Sequence, residues 1–171
     1  LVLFEAKEPN LRWGDFAEAI LAACAEMGVA AIYFVGSYAG LTPHTREPRI
    51  YCTTSDPALK DELRQAGFRF SNYEGPCSFT TCLATRVHAA GLKMVSLAAE
   101  IPAYVQGCNP KCIEAMVRRL SALLALPLGT DDLRRSADTF EERLNEVIAR
   151  KPDLRQQIRR LEEDYDQELF N

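Results

Sequence analysis

Short apolar runs alternate with segments of helical period along the first three quarters of the chain, and this alternation restricts it to a layered α/β fold. The run "LVLFEA" reads as a buried strand ending at Glu5, and "AIYFVGS", "RIYCTT" and "KMVSLAAE" read as three more, the last ending at Glu100. Between the first two, Phe16, Ile20, Ala23 and Met27 recur at helical spacing, with Asp15 as N-cap and Gly28 as stop. Asp56-Pro57 opens a second helix that ends at Gly67, and Asn109-Pro110 opens another through Ile113, Met116, Leu120 and Leu124. The expected architecture is a mainly parallel sheet between helices.

The stretch "SNYEGPCSFTTCLATRVHAAG" supplies one further helix, with Pro76 at its first position, an apolar face of Phe79, Leu83, Val87 and Ala90, and a stop at Gly91. Its first-turn N–H groups are expected to hold an ordered water, an anion or an acidic side chain. Cys77 would then lie in that first turn, where free N–H groups favour a thiolate. A nucleophile also needs a base and an orienting group, which His44 with Glu74 or Glu100 would supply if the fold brought them together. A small buried hydrophobe is the plainer role for such a cysteine.

From Leu133 the pattern changes. Leu133, Ala137, Phe140, Leu144, Val147, Leu154, Ile158, Leu161 and Tyr165 follow a heptad-like register, interrupted at "ARKPDL", where Pro152 ends one helix and begins the next. Residues 1–130 are therefore expected to form the α/β core, and 131–171 a pair of helices that pack on it rather than on a second chain.

A length of 171 residues suits one core. The net charge of −4, with no basic stripe, excludes phosphate-backbone recognition, so no nucleic acid is expected; the apolar runs are too short to cross a bilayer, so no membrane is expected either. The six cysteines fall in apolar stretches without paired metal-ligand spacing, which predicts a reducing cytoplasmic setting with no disulfide, no metal and no cofactor. The chain opens inside an apolar run without an initiator methionine, as a piece of a longer protein would.

Ligands of open α/β sheets gather outside the carboxyl ends of the strands. Those ends and the loops after them nominate a pocket of Glu5, Asn10, His44, Arg46, Glu74, Gly75, Glu100 and Tyr104, with Gly75 allowing the turn that would aim Glu74 inward. Arg46 and His44 are equally at home as ordinary loop residues.

Taken together, "KEPNLRW", "TPHTREPR", "SNYEGPC", "EIPAYV" and "NPKC" occur in an order that resembles the proteasome assembly chaperone family, in its bacterial and archaeal branch. The resemblance implies a core like that of purine nucleoside phosphorylases, of phosphorylase/hydrolase type, with C-terminal helices. It also implies an additional N-terminal portion with a Gly-rich strand-to-helix turn. The function it implies is non-enzymatic, chaperone-like protein binding by a homo-oligomer, with a trimer favoured. The alternative is an enzyme or small-molecule binder of carboxylate-amine ligase or hydrolase type at the strand-end pocket, in which Cys77, His44 and Glu74 would be catalytic. Ring-docking relatives end in a hydrophobic-Tyr-any tail, whereas this chain ends Leu169-Phe170-Asn171.

Overall fold

The computed structural model describes residues 1–169; the end of the C-terminal tail, Phe170 and Asn171, lies outside the described residues. Helix α1 (Trp13–Glu26) precedes strand β1 (Ala31–Gly40). Strand β2 (Ile50–Thr54) leads through a 3-10 turn (Pro57–Leu59) into α2 (Lys60–Gln65) and the short β3 (Arg69–Phe70). Helix α3 (Phe79–Ala89), strand β4 (Lys93–Pro102) and helices α4 (Pro110–Leu123), α5 (Asp131–Ala149) and α6 (Pro152–Glu168) complete the chain. The sheet runs β1-β4-β2-β3; β1 pairs with β4 and β2 with β3 in parallel, while β2 and β4 are antiparallel.

Strand β4 is central because its sequence suits burial on both faces. Val95, Leu97 and Ala99 alternate into a cluster with Ile50, Cys52, Leu63, Phe68, Cys112, Ala115 and Met116, which joins the sheet to α2 and α4. Met94 points the other way, into Ala17, Phe79, Leu83 and Val87 of α1 and α3. Each large side chain so buried contributes about 1.5–3 kcal/mol relative to exposure. Burial also pushes the Cys52 and Cys112 thiols up to about 11, as suits cysteines that serve as small core hydrophobes.

Several expectations hold and others need correction. Asp56 caps by accepting from the Ala58 N–H, Asn109 by accepting from the Cys112 N–H, and Pro152 starts α6. The run at Leu1–Ala6 is not a strand. It has no ladder partner among the described residues, and Leu1 and Leu3 are 89% and 88% exposed, so Glu5 is not a strand end. Pro76 does not begin α3 either. Ser78 takes the N-cap, its hydroxyl accepting from the Thr81 N–H, a contact worth about 1 kcal/mol. The stop at Gly91, with φ 74, is as expected. In α4 the expected apolar face is partly turned outward, since Ile113 is 41% exposed while Cys112 and Met116 are buried. In α5 Ala137 is buried as expected, but the next buried position is Ile148, while Val147, half exposed, faces outward. A straight 3.6-residue helix drifts from a strict heptad, which accounts for that shift of one residue.

Helix α5 packs on α4, and α6 on α5. No helix among the described residues is long and apolar enough to cross a membrane.

Candidate functional site

The loop between β1 and β2, residues 41–49, is where the polar motif residues converge. Glu100, near the end of β4, is 7% exposed and folds back over Gly40. Its Oε1 accepts from the Leu41 N–H at 2.9 Å and its Oε2 from the Thr42 hydroxyl. A Cβ on Gly40 would sit 2.3–2.7 Å from three Glu100 side-chain atoms, so the absent side chain is what lets the carboxylate turn inward. Arg49, 8% exposed, places Nη1 3.9 Å from the same carboxylate and Nη2 2.7 Å from Glu168 Oε2. The guanidinium stacks 4.3 Å from the centre of the Tyr165 ring, which compensates for Nε and Nη2, neither of which makes a hydrogen bond among the described residues, the Glu168 contact being an ion pair by distance alone.

His44 is 3% exposed. Tyr104 Oη accepts from its backbone N–H at 2.9 Å and lies 2.7 Å from its Nδ1, while Nε2 is 3.2 Å from Asn145 Oδ1 on α5. An amide oxygen at Nε2 requires the proton there, so Nδ1 accepts from the tyrosine hydroxyl. Lys111, just after the Asn-Pro cap of α4, donates to the His44 carbonyl at 2.6 Å and to Glu141 on α5 at 2.5 Å. Thr45 donates to Glu162, and Arg46 forms a fork on Asp166 at 2.7 and 2.8 Å, both acceptors on α6. Tyr165 donates to the Glu47 carbonyl, and the Glu47 carboxylate receives Arg118 and Arg119 of α4. Burial works to raise Glu47, but the two arginine hydrogen bonds outweigh it and hold the group below the usual carboxylate range.

Burial likewise dominates at His44, lowering its affinity for a proton against the opposing help of Asn145. The unfolded chain therefore binds a proton at this residue more readily than the folded one. This contribution to stability is complete above pH about 6.5 and is lost as pH falls from there through the lower folded value. Urea titrations should show stability declining below pH 6.5, and His44→Gln should remove that part of the slope. An unchanged slope in the variant would rule the residue out as its source.

Of the pocket expected from the sequence, the fold brings together His44, Arg46, Glu100 and Tyr104. Glu5, Asn10, Glu74, Gly75 and Cys77 lie in exposed coil; none makes a hydrogen bond or ion pair with those four among the described residues. Cys77 lies one residue ahead of the Ser78 cap and does not share the first-turn N–H groups. An acidic side chain does occupy that helix start, but it is Glu8, whose Oε1 accepts from the Phe79 N–H at 3.1 Å, while Glu74 faces solvent. Thr42, Arg49, Lys111, Asn145, Glu162 and Asp166 were not foreseen. Glu162 and Asp166 carried a usable signal, since carboxylates four apart share one helix face and await cations. The space bounded by Thr42, Glu100, Asn109 and Cys112 is only about 10 Å³, room for no ligand. A larger cavity of about 220 Å³ lies beyond His44, against α5 and α6.

A sequence model of the PAC2 family matches residues 1–148. The chain belongs to the PAC2 family. No curated protein compared with this PAC2 chain matches it. Among solved structures, a PAC2 family protein from Streptomyces avermitilis is 34% identical at TM-score 0.73, covering 81% of this chain and 58% of that one. A proteasome-assembly chaperone homologue from Mycobacterium tuberculosis is 30% identical at TM-score 0.76, covering 88% of this chain and 63% of that one. A protein of unknown function from Corynebacterium glutamicum, 22% identical at TM-score 0.82, shares the fold over 95% of this chain and 59% of its own. The chain thus spans about three fifths of the length of these solved structures.

Proposed function

We propose that this PAC2 chain is a non-enzymatic, chaperone-like protein-binding subunit that works in the cytoplasm as a homo-oligomer, with a trimer favoured. The observation that carries this reading is how the motif side chains are spent. His44, Thr45, Arg46, Arg49 and Tyr104 all engage internal partners, chiefly on α5 and α6, and the space beneath them is filled. In this reading residues 1–130 are the core and 131–171 an arm fastened to it by the motif loop. His44 and Thr45 border the larger hollow, yet their side-chain polar atoms are already taken up by Tyr104, Asn145 and Glu162, whereas a catalytic site leaves such groups free toward a substrate.

The edge strand β1 supports an assembling role. Its outer side has no strand neighbour among the described residues, and it carries Phe34, Val35 and Tyr38 exposed by 37%, 49% and 43%. The name of the Mycobacterium relative, a proteasome-assembly chaperone homologue, supports a proteasome subunit as the partner class.

Native mass spectrometry of the protein co-expressed with the proteasome subunits of its own organism tests both parts. A homo-oligomer that also captures a ring subunit is expected. A monomer that binds none would refute the proposal, and substrate turnover abolished by His44→Gln would favour the enzymatic alternative.

A further inference from the structure

Strand β1 carries none of the devices that usually shield a sheet edge. Its ten residues include no charged side chain and no proline, and no strand pairs with its outer side among the described residues. From Phe34 to Ala39 every residue but Gly36 is exposed, with Phe34 and Tyr38 on one face and Val35 on the other. The free N–H and C=O groups of such an edge are completed by another strand. The same chain holds a segment with the matching need. Leu1–Phe4 is apolar, uncharged and exposed along its length, and Leu1–Ala6 has no ladder partner among the described residues. It is as long as the bare stretch of β1. Two contacts fix it in place: the Phe4 ring lies 6.5 Å from that of Phe16 on α1, and Glu8 accepts from the Phe79 N–H at the start of α3. Phe16 and Phe79 pack with Ile32 and Met94 under one face of the sheet, so these contacts hold the run over the helical layer rather than beside β1.

We propose that Leu1–Ala6 of one copy adds as a further strand to the β1 edge of a second copy, its leucines covering Phe34, Val35 and Tyr38. This rests on the homo-oligomer reading and names the contact that builds the assembly. Pairing between copies satisfies the free backbone groups of run and edge together and keeps Phe4 on Phe16. Pairing within one chain pulls the run off α1. Run and edge are different surfaces, so the contact is head-to-tail, the kind that closes into rings such as a trimer. Pairing of β1 with β1 is two-fold and stops at a dimer.

Light scattering and native mass spectrometry of the full-length protein, of Leu3→Lys and of Val35→Lys test the contact. Both side chains are exposed, by 88% and 49%, so each variant should keep the circular dichroism spectrum of the parent. Each alone should fall to the mass of a single chain, one lacking a fitting run and the other a fitting edge. Mixed in equal amounts, they should form a one-to-one dimer, because the run of Val35→Lys still fits the edge of Leu3→Lys. Amides of β1 should exchange slowly in the parent assembly and faster in Leu3→Lys. Should Val35→Lys fail to fold, the mass and exchange of Leu3→Lys decide alone. A Leu3→Lys assembly of parental mass, or folded variants that stay monomeric on mixing, overturns the strand exchange and leaves the homo-oligomer reading standing. A monomeric parent overturns both.

Discussion

Replacing Glu100 with alanine is expected to destabilise the fold by about 3–5 kcal/mol, the range for removing one partner of a buried charged pair. Three groups depend on this carboxylate: the Leu41 N–H, the Thr42 hydroxyl and the guanidinium of Arg49. Two of the three have no water at hand to replace it, because Thr42 is 2% and Arg49 8% exposed. Glu100→Gln keeps an acceptor and nearly the same volume, and should cost clearly less than the alanine change. Equilibrium urea unfolding measures both. A loss below about 1 kcal/mol in Glu100→Ala would mean that Arg49 relies on Glu168 and the Tyr165 ring rather than on Glu100.

Tyr104→Phe should cost about 1–3 kcal/mol although it removes a single oxygen atom. That oxygen accepts from the His44 backbone N–H and donates to Nδ1, so its loss strands a buried donor and a buried acceptor together. The effect should extend beyond the loop, because His44 reaches Asn145 and its carbonyl holds Lys111, which grips Glu141. Amide exchange in α5 is expected to accelerate in the variant, with β4 unaffected. Uniform acceleration across both elements would show that the loop is part of the main core rather than a fastening for the C-terminal helices.

The layered α/β class was legible because period-two and period-3.6 patterns follow from local geometry, and caps such as Asp56-Pro57 and Asn109-Pro110 act within one turn. The run Leu1–Ala6 misled because apolar content signals burial, whereas a strand also needs a hydrogen-bonded neighbour, which no local pattern specifies. At "NYEGPCSF" two start signals competed, and the serine hydroxyl prevailed over the proline ring. Half of the expected pocket assembled for one reason: His44, Arg46, Glu100 and Tyr104 lie on the loop and strand end that face α5 and α6, while Glu5, Asn10 and Glu74 lie in coil elsewhere. Their partners could not be inferred, since Asn145 and Asp166 are 101 and 120 residues away from the groups they meet.

That sequence separation has a kinetic consequence. Bringing residue 46 to residue 166 closes a long loop of chain, and the entropy of closure is spent before the contact returns anything. The fastening of the C-terminal helices therefore belongs to the last steps of folding, after β1, β4 and β2 have aligned. Interactions absent from the folding transition state govern how fast a protein comes apart rather than how fast it forms. The stability lost in Tyr104→Phe should accordingly appear as faster unfolding with an unchanged refolding rate, so that the loop sets the lifetime of the native chain; slower refolding would place the fastening in the folding nucleus instead.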